Sequence, residues 1–347
     1  MPEWPVVGVA GARGMVGGVF LSILADAGLP PDRLRAFGTD AGAMGYDGSE
    51  IPIRVLDTSA ADELDVLFLA TDGEVSRSLV EGPARSVPLI VDNSSAYRLD
   101  PQVPLVVPEA NAAALVGFGG RLVANPNCTT AAAVVALAPI RDLAGLESVD
   151  LASYQAVSGA GRAGVDAFAA ERATDGRAEG GRDRATDSPF HGRIADSVVP
   201  QIDRLFDDGW SGEERKVQAE LRKILVLPDL DVAATTVRVP VHTGHSVALH
   251  VRTVRPTTVA ALEEALRHAP GVEYRAADGS ERHPMPLDVE GRDPVLVGRL
   301  RAIPGRERGF ALFAASDNLR KGAALNAIQV AAAFDPARFG CLLPPPR

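Results

Sequence analysis

One of the two cysteines, Cys128, lies in the hexapeptide Asn125-Pro126-Asn127-Cys128-Thr129-Thr130, between a strand-like run and a long apolar segment typical of a helix. A cysteine at a helix start faces unpaired backbone N–H groups and the positive end of the helix dipole, which favour thiolate over thiol. A small buried core cysteine is the alternative interpretation. Because the flanking residues are typical of a polar turn, we predict that Cys128 is a nucleophile. We assign no function to Cys341 or to the proline-rich tail around it.

A glycine-rich turn opens the chain. The run Gly11-Ala12-Arg13-Gly14-Met15-Val16-Gly17 follows the strand-like residues Val6–Ala10 and precedes residues 19–27, which are apolar at helical spacing. In such a strand-turn-helix unit, Gly11 allows the tight turn, Gly14 lets the backbone approach a pyrophosphate, and Gly17 lets the helix pack on the sheet. Glycines that serve packing alone would show the same spacing. The order of strand, turn and helix favours a dinucleotide-binding site.

Thr39 and Asp40 follow the second strand-like run, Leu34–Phe37. At this position an acidic residue accepts hydrogen bonds from a ribose hydroxyl, whereas an arginine binds a 2′-phosphate. The chain has the acid and lacks the arginine there. A solvated turn over 39–42 is the alternative interpretation.

The spacing of strand-like runs predicts an α/β protein with two domains, as its length of 347 residues also suggests. Short runs that alternate with helical segments predict a doubly wound parallel sheet; they lie at 34–37, 65–70, 88–92 and 121–124. Longer alternating runs predict a largely antiparallel sheet; they lie at 148–157, 234–241, 245–254, 295–303 and 309–315. We expect a dinucleotide-binding domain from 1–127 and 317–347, and a catalytic and dimerisation domain from 128–316.

Composition excludes several classes of function. The net charge of −10 argues against nucleic acid or an anionic membrane surface as partner. No apolar run approaches the roughly 20 residues that span a bilayer, and residues 1–4 do not resemble a signal peptide. Two cysteines without a pairing pattern indicate a reducing cytoplasm. We predict no metal site, and we expect residues 172–187 to form an exposed excursion because they are rich in Arg, Asp and Gly.

Taken in order, the motifs resemble those of the aspartate-β-semialdehyde dehydrogenase family over nearly the whole chain. They are the glycine turn, Asp92–Arg98, the Cys128 hexapeptide, Ser153–Gly161, Glu220–Lys223, Arg238–Val241 with Gly244–Ser246, and Asp317–Asn326. Each motif is modest, but the joint set is specific.

The resemblance implies reductive dephosphorylation of L-4-aspartyl phosphate through a Cys128 thioester, which splits one difficult step into two. It implies that His245 is the general acid/base and that Gln155 positions the acyl carbonyl and His245. It assigns the phosphate to Arg98, Asn127 and Lys223, the α-carboxylate to Arg238 and the α-ammonium to Glu220. Considered alone, Glu220 and Lys223 could be an exposed ion pair on a helix, and Arg238 and His245 could be a strand arginine and a core histidine.

The resemblance also implies NADP as cofactor, a homodimer or homotetramer, and a place in the biosynthesis of lysine, threonine and methionine. It assigns cofactor contacts to Gly11, Arg13, Gly14, Met15, Val16, Gly17, Thr39, Asp40, Ser158, Gly159 and Asn318. Because Asp40 would repel a 2′-phosphate, we expect weak discrimination between NADP and NAD.

Three other functions remain open at this point. N-acetyl-γ-glutamyl-phosphate reductase shares the chemistry, but its substrate has no free ammonium for Glu220. A relative in specialised metabolism would reduce another aspartyl-like acyl phosphate. A non-catalytic dinucleotide-binding regulator would have no need of Cys128, Gln155 and His245.

Overall fold

The computed structural model describes residues 4–173, 187–276 and 283–345. Most of the excursion expected at 172–187 lies outside the described residues. The chain divides into two compact units: one runs to Asn127 and resumes at Ala323, and the other comprises Cys128–Gly322. We expected domain boundaries at 127/128 and 316/317, and these domain limits stay predictions.

The first unit is built on a seven-stranded sheet. Its strands are β1 Val7–Ala10, β2 Leu34–Phe37, β3 Gly42–Tyr46, β4 Ser49–Arg54, β5 Val66–Leu69, β6 Leu89–Asp92 and β7 Leu122–Ala124. Their order in the sheet is β3-β4-β2-β1-β5-β6-β7. Its helices before Asn127 are α1 Met15–Asp26, α2 Thr58–Ala61, α3 Gly73–Glu81 and α4 Pro108–Asn111. All pairings except that of β3 with β4 are parallel, as the alternation of strands and helices predicts. Phe20 of α1 stacks on Phe68 of β5 at 4.9 Å between ring centroids, inside this unit's core.

The β3–β4 hairpin was not predicted. Its strands are short, carry Gly42, Gly45 and Pro52, and leave most of their residues exposed. Only Ile51 and Ile53 of β4 alternate with exposed residues, which is too short a pattern to identify a strand. The sequence did hold one signal, because Asp47-Gly48 forms the hairpin turn with φ values of 47° and 72°. The hairpin is the antiparallel edge of an otherwise parallel sheet.

The second unit has a six-stranded sheet. Its strands are β8 Ser148–Gln155, β9 Asp231–Arg238, β10 His245–Arg252, β11 Val272–Arg275, β12 Val295–Ala302 and β13 Gly309–Ser316. Their order in the sheet is β11-β12-β13-β10-β8-β9. Its helices are α5 Cys128–Ala144, α6 Gly161–Ala173, α7 Gly212–Leu225 and α8 Val259–Arg267. The four inner strands pair antiparallel, whereas β11 and β9 pair parallel with their neighbours. The sheet is therefore mixed, and the short strand β11 was missed.

Alternation along the strands gives this sheet two different faces. In β8, the side chains of Val149, Leu151, Ser153 and Gln155 are buried, and those between them are half-buried or exposed. The more open face includes Tyr154, whose ring lies 6.1 Å from that of Phe313 on β13. An antiparallel sheet with one packed face and one open face produces this pattern.

The sequence from Asp317 to Phe334 predicts a single helix, but the segment after β13 does not form one. Asp317 accepts hydrogen bonds from the backbone N–H groups of Leu319 and Arg320 and caps the turn. A π-helical turn then spans Arg320–Ala324, before the α-helices α9 Leu325–Phe334 and α10 Pro336–Phe339. Asp317 also accepts from the N–H of Gly291, and Arg320 pairs with Asp293, which ties 317–322 to the second unit.

Candidate active site

Cys128 is the first residue of α5, a helix of 17 residues whose side chains are mostly buried. The sequence predicts a helix start after the polar turn, and α5 begins at Cys128 itself. Gly322, the last residue of this unit, lies against Cys128. A Cβ added at Gly322 would stand 2.8 Å from the Cβ of Cys128. The nucleophile candidate is therefore held on a rigid helix start, and only a glycine fits beside it.

His245 is the first residue of β10 and is fully buried. The backbone N–H of Ala156 donates to its Nδ1 at 3.1 Å. Its Nε2 is buried and has no hydrogen-bond partner among the described residues. Burial lowers the pKa of His245 well below its usual range, and the positive charge of Arg238 acts in the same direction. The ring is therefore neutral near pH 7, with its hydrogen on Nε2.

Arg238 ends β9, two strands away from His245 in the same sheet. Its Nη1 donates to the carbonyl oxygen of Ala156 at 2.7 Å. Its Nε is buried without a partner among the described residues. Burial lowers the pKa of Arg238, whereas the negative charges of Cys128 and Glu213 oppose that effect. A buried guanidinium with an unsatisfied donor is suited to bind a carboxylate.

Gly159 completes this cluster of the second unit. A Cβ added there would stand 2.7 Å from Nη1 of Arg238 and 2.9 Å from Nε2 of His245. The backbone at Gly159 thus lies so close to the side chains of Arg238 and His245 that a residue with a Cβ would not fit there. Next to it, Nδ2 of Asn318 donates to Oγ of Ser158 at 3.0 Å, and Oδ1 of Asn318 accepts from the N–H of Gly244 at 2.9 Å.

The remaining substrate candidates fall on different elements. Glu220 and Lys223 lie on α7, where Glu220 is buried and Lys223 half-buried. Arg98 and Asn127 belong to the first unit and are buried there. Nε of Arg98 donates to the carbonyl of Asn125 at 2.9 Å, and Nη2 to that of Asn93 at 2.7 Å. Their roles in phosphate and substrate binding stay predictions.

The glycine turn of the first unit fits a dinucleotide. Gly11 has φ +79°, and a Cβ on Gly17 would stand 2.2 Å from the carbonyl oxygen of Gly11, so α1 packs directly on the turn. Helix α1 begins at Met15 without a side-chain cap among the described residues. Its first N–H groups, including those of Met15 and Val16, are therefore suited to an anionic group.

Arg13 extends from this turn to the end of β2. Its Nη1 donates to the backbone carbonyl of Asp40 at 3.0 Å, while Oγ1 of Thr39 donates to Oδ2 of Asp40 at 3.0 Å. The cation missing after the second strand in sequence is thus supplied from the glycine turn. Spacing along the chain did not predict that contact.

Sequence reasoning missed Glu213. This glutamate is buried at the start of α7 and accepts from Nε2 of Gln155 at 3.2 Å. The only available signal was Ser211-Gly212-Glu213-Glu214, a capping-box pattern that predicts a helix start. A capping-box pattern does not indicate that the side chain of Glu213 is buried.

Two kinds of feature are absent from the residues that the structure describes. No helix there is both long and apolar enough to cross a bilayer. No group of three or more His, Cys, Asp or Glu side chains there could hold a metal ion.

Comparison with known proteins connects both units to one family. Residues 6–117 match the family model described as semialdehyde dehydrogenase, NAD binding domain, and residues 137–321 match semialdehyde dehydrogenase, dimerisation domain. The chain is 41% identical to aspartate-semialdehyde dehydrogenase of Streptomyces akiyoshiensis, over 94% of this chain and 97% of that protein. It is 37% identical to the Bacillus subtilis enzyme of that name, over 94% and 96% of the two chains.

A solved structure agrees with these matches. Aspartate semialdehyde dehydrogenase II of Vibrio cholerae, complexed with ASA, superposes with a TM-score of 0.88 at 34% identity. The superposition covers 96% of this chain and 98% of that one.

Proposed function

Because this chain belongs to the aspartate-semialdehyde dehydrogenase family, we propose that it reduces L-4-aspartyl phosphate to L-aspartate-4-semialdehyde and phosphate. It is an oxidoreductase, as the family is. The observation that carries the proposal is the grouping of a helix-start cysteine, a neutral buried His245 and a buried Arg238 in one unit. A thiolate nucleophile, a hydrogen-bond donor and a carboxylate-binding cation are the groups that this chemistry requires.

Cys128 attacks the acyl carbon, the bond from that carbon to the phosphate oxygen breaks, and a thioester remains on Cys128. When bound, NADPH would supply the hydride that reduces this thioester. Nε2–H of His245 donates to the acyl oxygen as negative charge develops there, which lowers the barrier because the donor is already desolvated. The tetrahedral species then collapses, the aldehyde forms, and the thiolate of Cys128 is regenerated.

The substrate's amino-acid end distinguishes this function from reduction of N-acetyl-γ-glutamyl phosphate. Arg238 binds the α-carboxylate through its Nε, and the buried carboxylate of Glu220 binds the α-ammonium. An N-acetylated substrate offers no cation to Glu220. The acetylated nitrogen is uncharged and cannot form this ion pair, so that substrate binds more weakly.

We propose NADP as the cofactor, held by the glycine turn and the first N–H groups of α1, with Arg13 beside the adenosine phosphate. The contact of Arg13 with the Asp40 backbone supports this placement. The carboxylate of Asp40 opposes a 2′-phosphate, so NAD is also used. The contacts expected from Ser158, Gly159 and Asn318 belong to the same proposal.

We propose that the protein is a homodimer that pairs through the open face of the second unit's sheet. Half-buried or exposed Tyr154 and Phe313 supply apolar area on that face. Tyr154→Asp should convert the dimer to a monomer in light-scattering chromatography, with His283→Asp, an exposed residue, as control. We place the protein in a reducing cytoplasm, because the Cys128 sulfur must stay reduced and outside any disulfide.

The function is tested by absorbance of reduced cofactor with L-aspartate-4-semialdehyde and phosphate, run separately with NADP and NAD. We expect phosphate-dependent reduction of both cofactors. Phosphate-dependent turnover of N-acetyl-glutamate semialdehyde in place of the aspartate compound would overturn the proposal.

A further inference from the structure

Gln155 has both of its amide hydrogens engaged. It ends β8 and is almost fully buried, and its Nε2 donates to Oγ of Ser153 and to Oε1 of Glu213, each at 3.2 Å. A side-chain amide has two N–H donors and one carbonyl acceptor. In the side chain of Gln155, the carbonyl oxygen Oε1 is therefore the hydrogen-bonding group that is left for a ligand.

The orientation of this amide is decided by Glu213 rather than by Ser153. A serine hydroxyl can donate or accept, so it would tolerate either end of the amide. An ionised carboxylate only accepts, so it must face the NH₂ group. Two cations surround the Glu213 carboxylate: Nζ of Lys216 lies 3.7 Å from its Oε2, and the charge of Arg238 interacts with it.

Glu213 is held in place by its neighbour. Oε2 of Glu214 accepts from the N–H of Ser211 at 2.8 Å in a capping box, and Oε1 accepts from the N–H of Thr236 on β9 at 3.1 Å. Thr236 is paired in register with Ser153 on β8. The start of α7 is thus fixed beside the end of β8, where Gln155 lies. The two adjacent glutamates have separate tasks: Glu214 anchors the helix, and Glu213 contacts the amide.

We propose that Glu213 is a positioning residue that fixes the amide of Gln155 with its carbonyl oxygen as a hydrogen-bond acceptor for the substrate. The inference rests on the proposed function, since Gln155 meets a substrate only in that reaction. It changes the role expected for Gln155, because an amide held in this way cannot donate to the acyl oxygen. That donation is left to His245.

The test replaces the carboxylate by an amide of the same shape. In Glu213→Gln, residue 213 can present either a donor or an acceptor, so the Gln155 amide can turn over. We expect kcat to fall at least tenfold with the KM for NADP unchanged. Glu264→Gln, an exposed exchange of the same kind on α8, should keep wild-type constants. Thermal unfolding of each variant shows whether the fold is intact.

A double-mutant cycle separates this role from a general effect of charge on Arg238. If Glu213 acts through Gln155, Glu213→Gln should have little further effect once Gln155→Ala has removed the amide. A full additional loss in the Gln155→Ala background would overturn the proposal. So would unchanged kcat in Glu213→Gln alone.

A spectroscopic readout keeps the inference distinct from the proposed function. The chain has five glutamines, Gln102, Gln155, Gln201, Gln218 and Gln329, so side-chain ¹⁵N labelling gives few signals. The Gln155 pair is identified by its loss in Gln155→Met. Both of its hydrogens should exchange slowly with solvent in the wild type and faster in Glu213→Gln. Fast exchange in the wild type would contradict the inference, whatever the enzyme's substrate proves to be.

Discussion

The backbone N–H of Ala156 donates to Nδ1 of His245 at 3.1 Å, and this contact sets the protonation of the ring. A second proton on Nδ1 would face the N–H hydrogen of Ala156, so protonation is opposed by geometry as well as by burial. His245 is therefore a neutral Nε2–H donor near pH 7. Its protonation has a measurable effect on stability.

We expect stability to fall as pH drops below about 6.5, the ordinary histidine value. The unfolded chain takes up a proton there, whereas native His245 stays neutral because its pKa is lowered. Stability is therefore complete above that pH and is lost towards the lowered native pKa, by up to about 1.4 kcal/mol per pH unit. Urea unfolding between pH 7.5 and 5.0 measures the slope. His245→Gln should flatten it relative to His283→Gln, which removes an exposed histidine. Equal slopes in the two variants would contradict the assignment.

Cys128→Ala should abolish turnover while NADPH binding, followed by cofactor fluorescence, survives. Cys128→Ser should also be nearly inactive, because a serine hydroxyl stays protonated near neutral pH. In the wild type, iodoacetamide should label Cys128 before Cys341, since burial raises the pKa of the Cys341 thiol. Preferential labelling of Cys341 with activity retained would refute the nucleophile assignment.

Gly322→Ala should impair the nucleophile without touching any charged group. The added Cβ would stand 2.8 Å from the Cβ of Cys128 and 3.2 Å from its Cα, so the start of α5 must shift. A displacement of this size costs at least tenfold in kcat, because attack requires a closely aligned geometry. Gly340→Ala is the control, since its Cβ would enter open space. Wild-type kcat and alkylation rate in Gly322→Ala would show that the helix start yields without consequence.

Arg238→Ala should raise the KM for the semialdehyde and leave the KM for phosphate nearly unchanged. Losing a charged hydrogen-bonding partner costs about 1.5–3 kcal/mol, equivalent to about tenfold or more in kcat/KM. Arg301→Ala, which changes an exposed residue of β12, serves as control. A change confined to the phosphate KM would mean that the two ends of the substrate are assigned the wrong way round.

The cofactor prediction concerns the contact between Arg13 and Asp40. The wild type should use NADP with weak discrimination over NAD, because the Asp40 carboxylate repels a 2′-phosphate by about 1 kcal/mol at an exposed site. Arg13→Ala should lower the ratio of kcat/KM for NADP over NAD, and Asp40→Ser with Thr39→Arg should raise it. A thousandfold wild-type preference for NADP would show that Asp40 points away from the ribose.

The sequence alone determined the two kinds of sheet and the placement of Cys128. Periodicity of apolar residues reports burial within one element, so β1, β5, β6 and the inner strands of the second unit were predictable to within a few residues. The edge strands β3 and β11 and the short strand β4 beside β3 were not, because they bury too few residues to show the pattern. The family motifs supplied the list of site residues, but not their partners.

Only the tertiary structure decided which atom of each residue is available. The ring nitrogen of His245, the amide orientation of Gln155 and the reach of Arg13 to Asp40 each depend on a group distant in sequence: the N–H of Ala156, the carboxylate of Glu213 and the end of β2. Hydrogen-bond direction is set by pairs of groups in space. A residue's type and spacing state what it can donate or accept, and packing selects which of these it does.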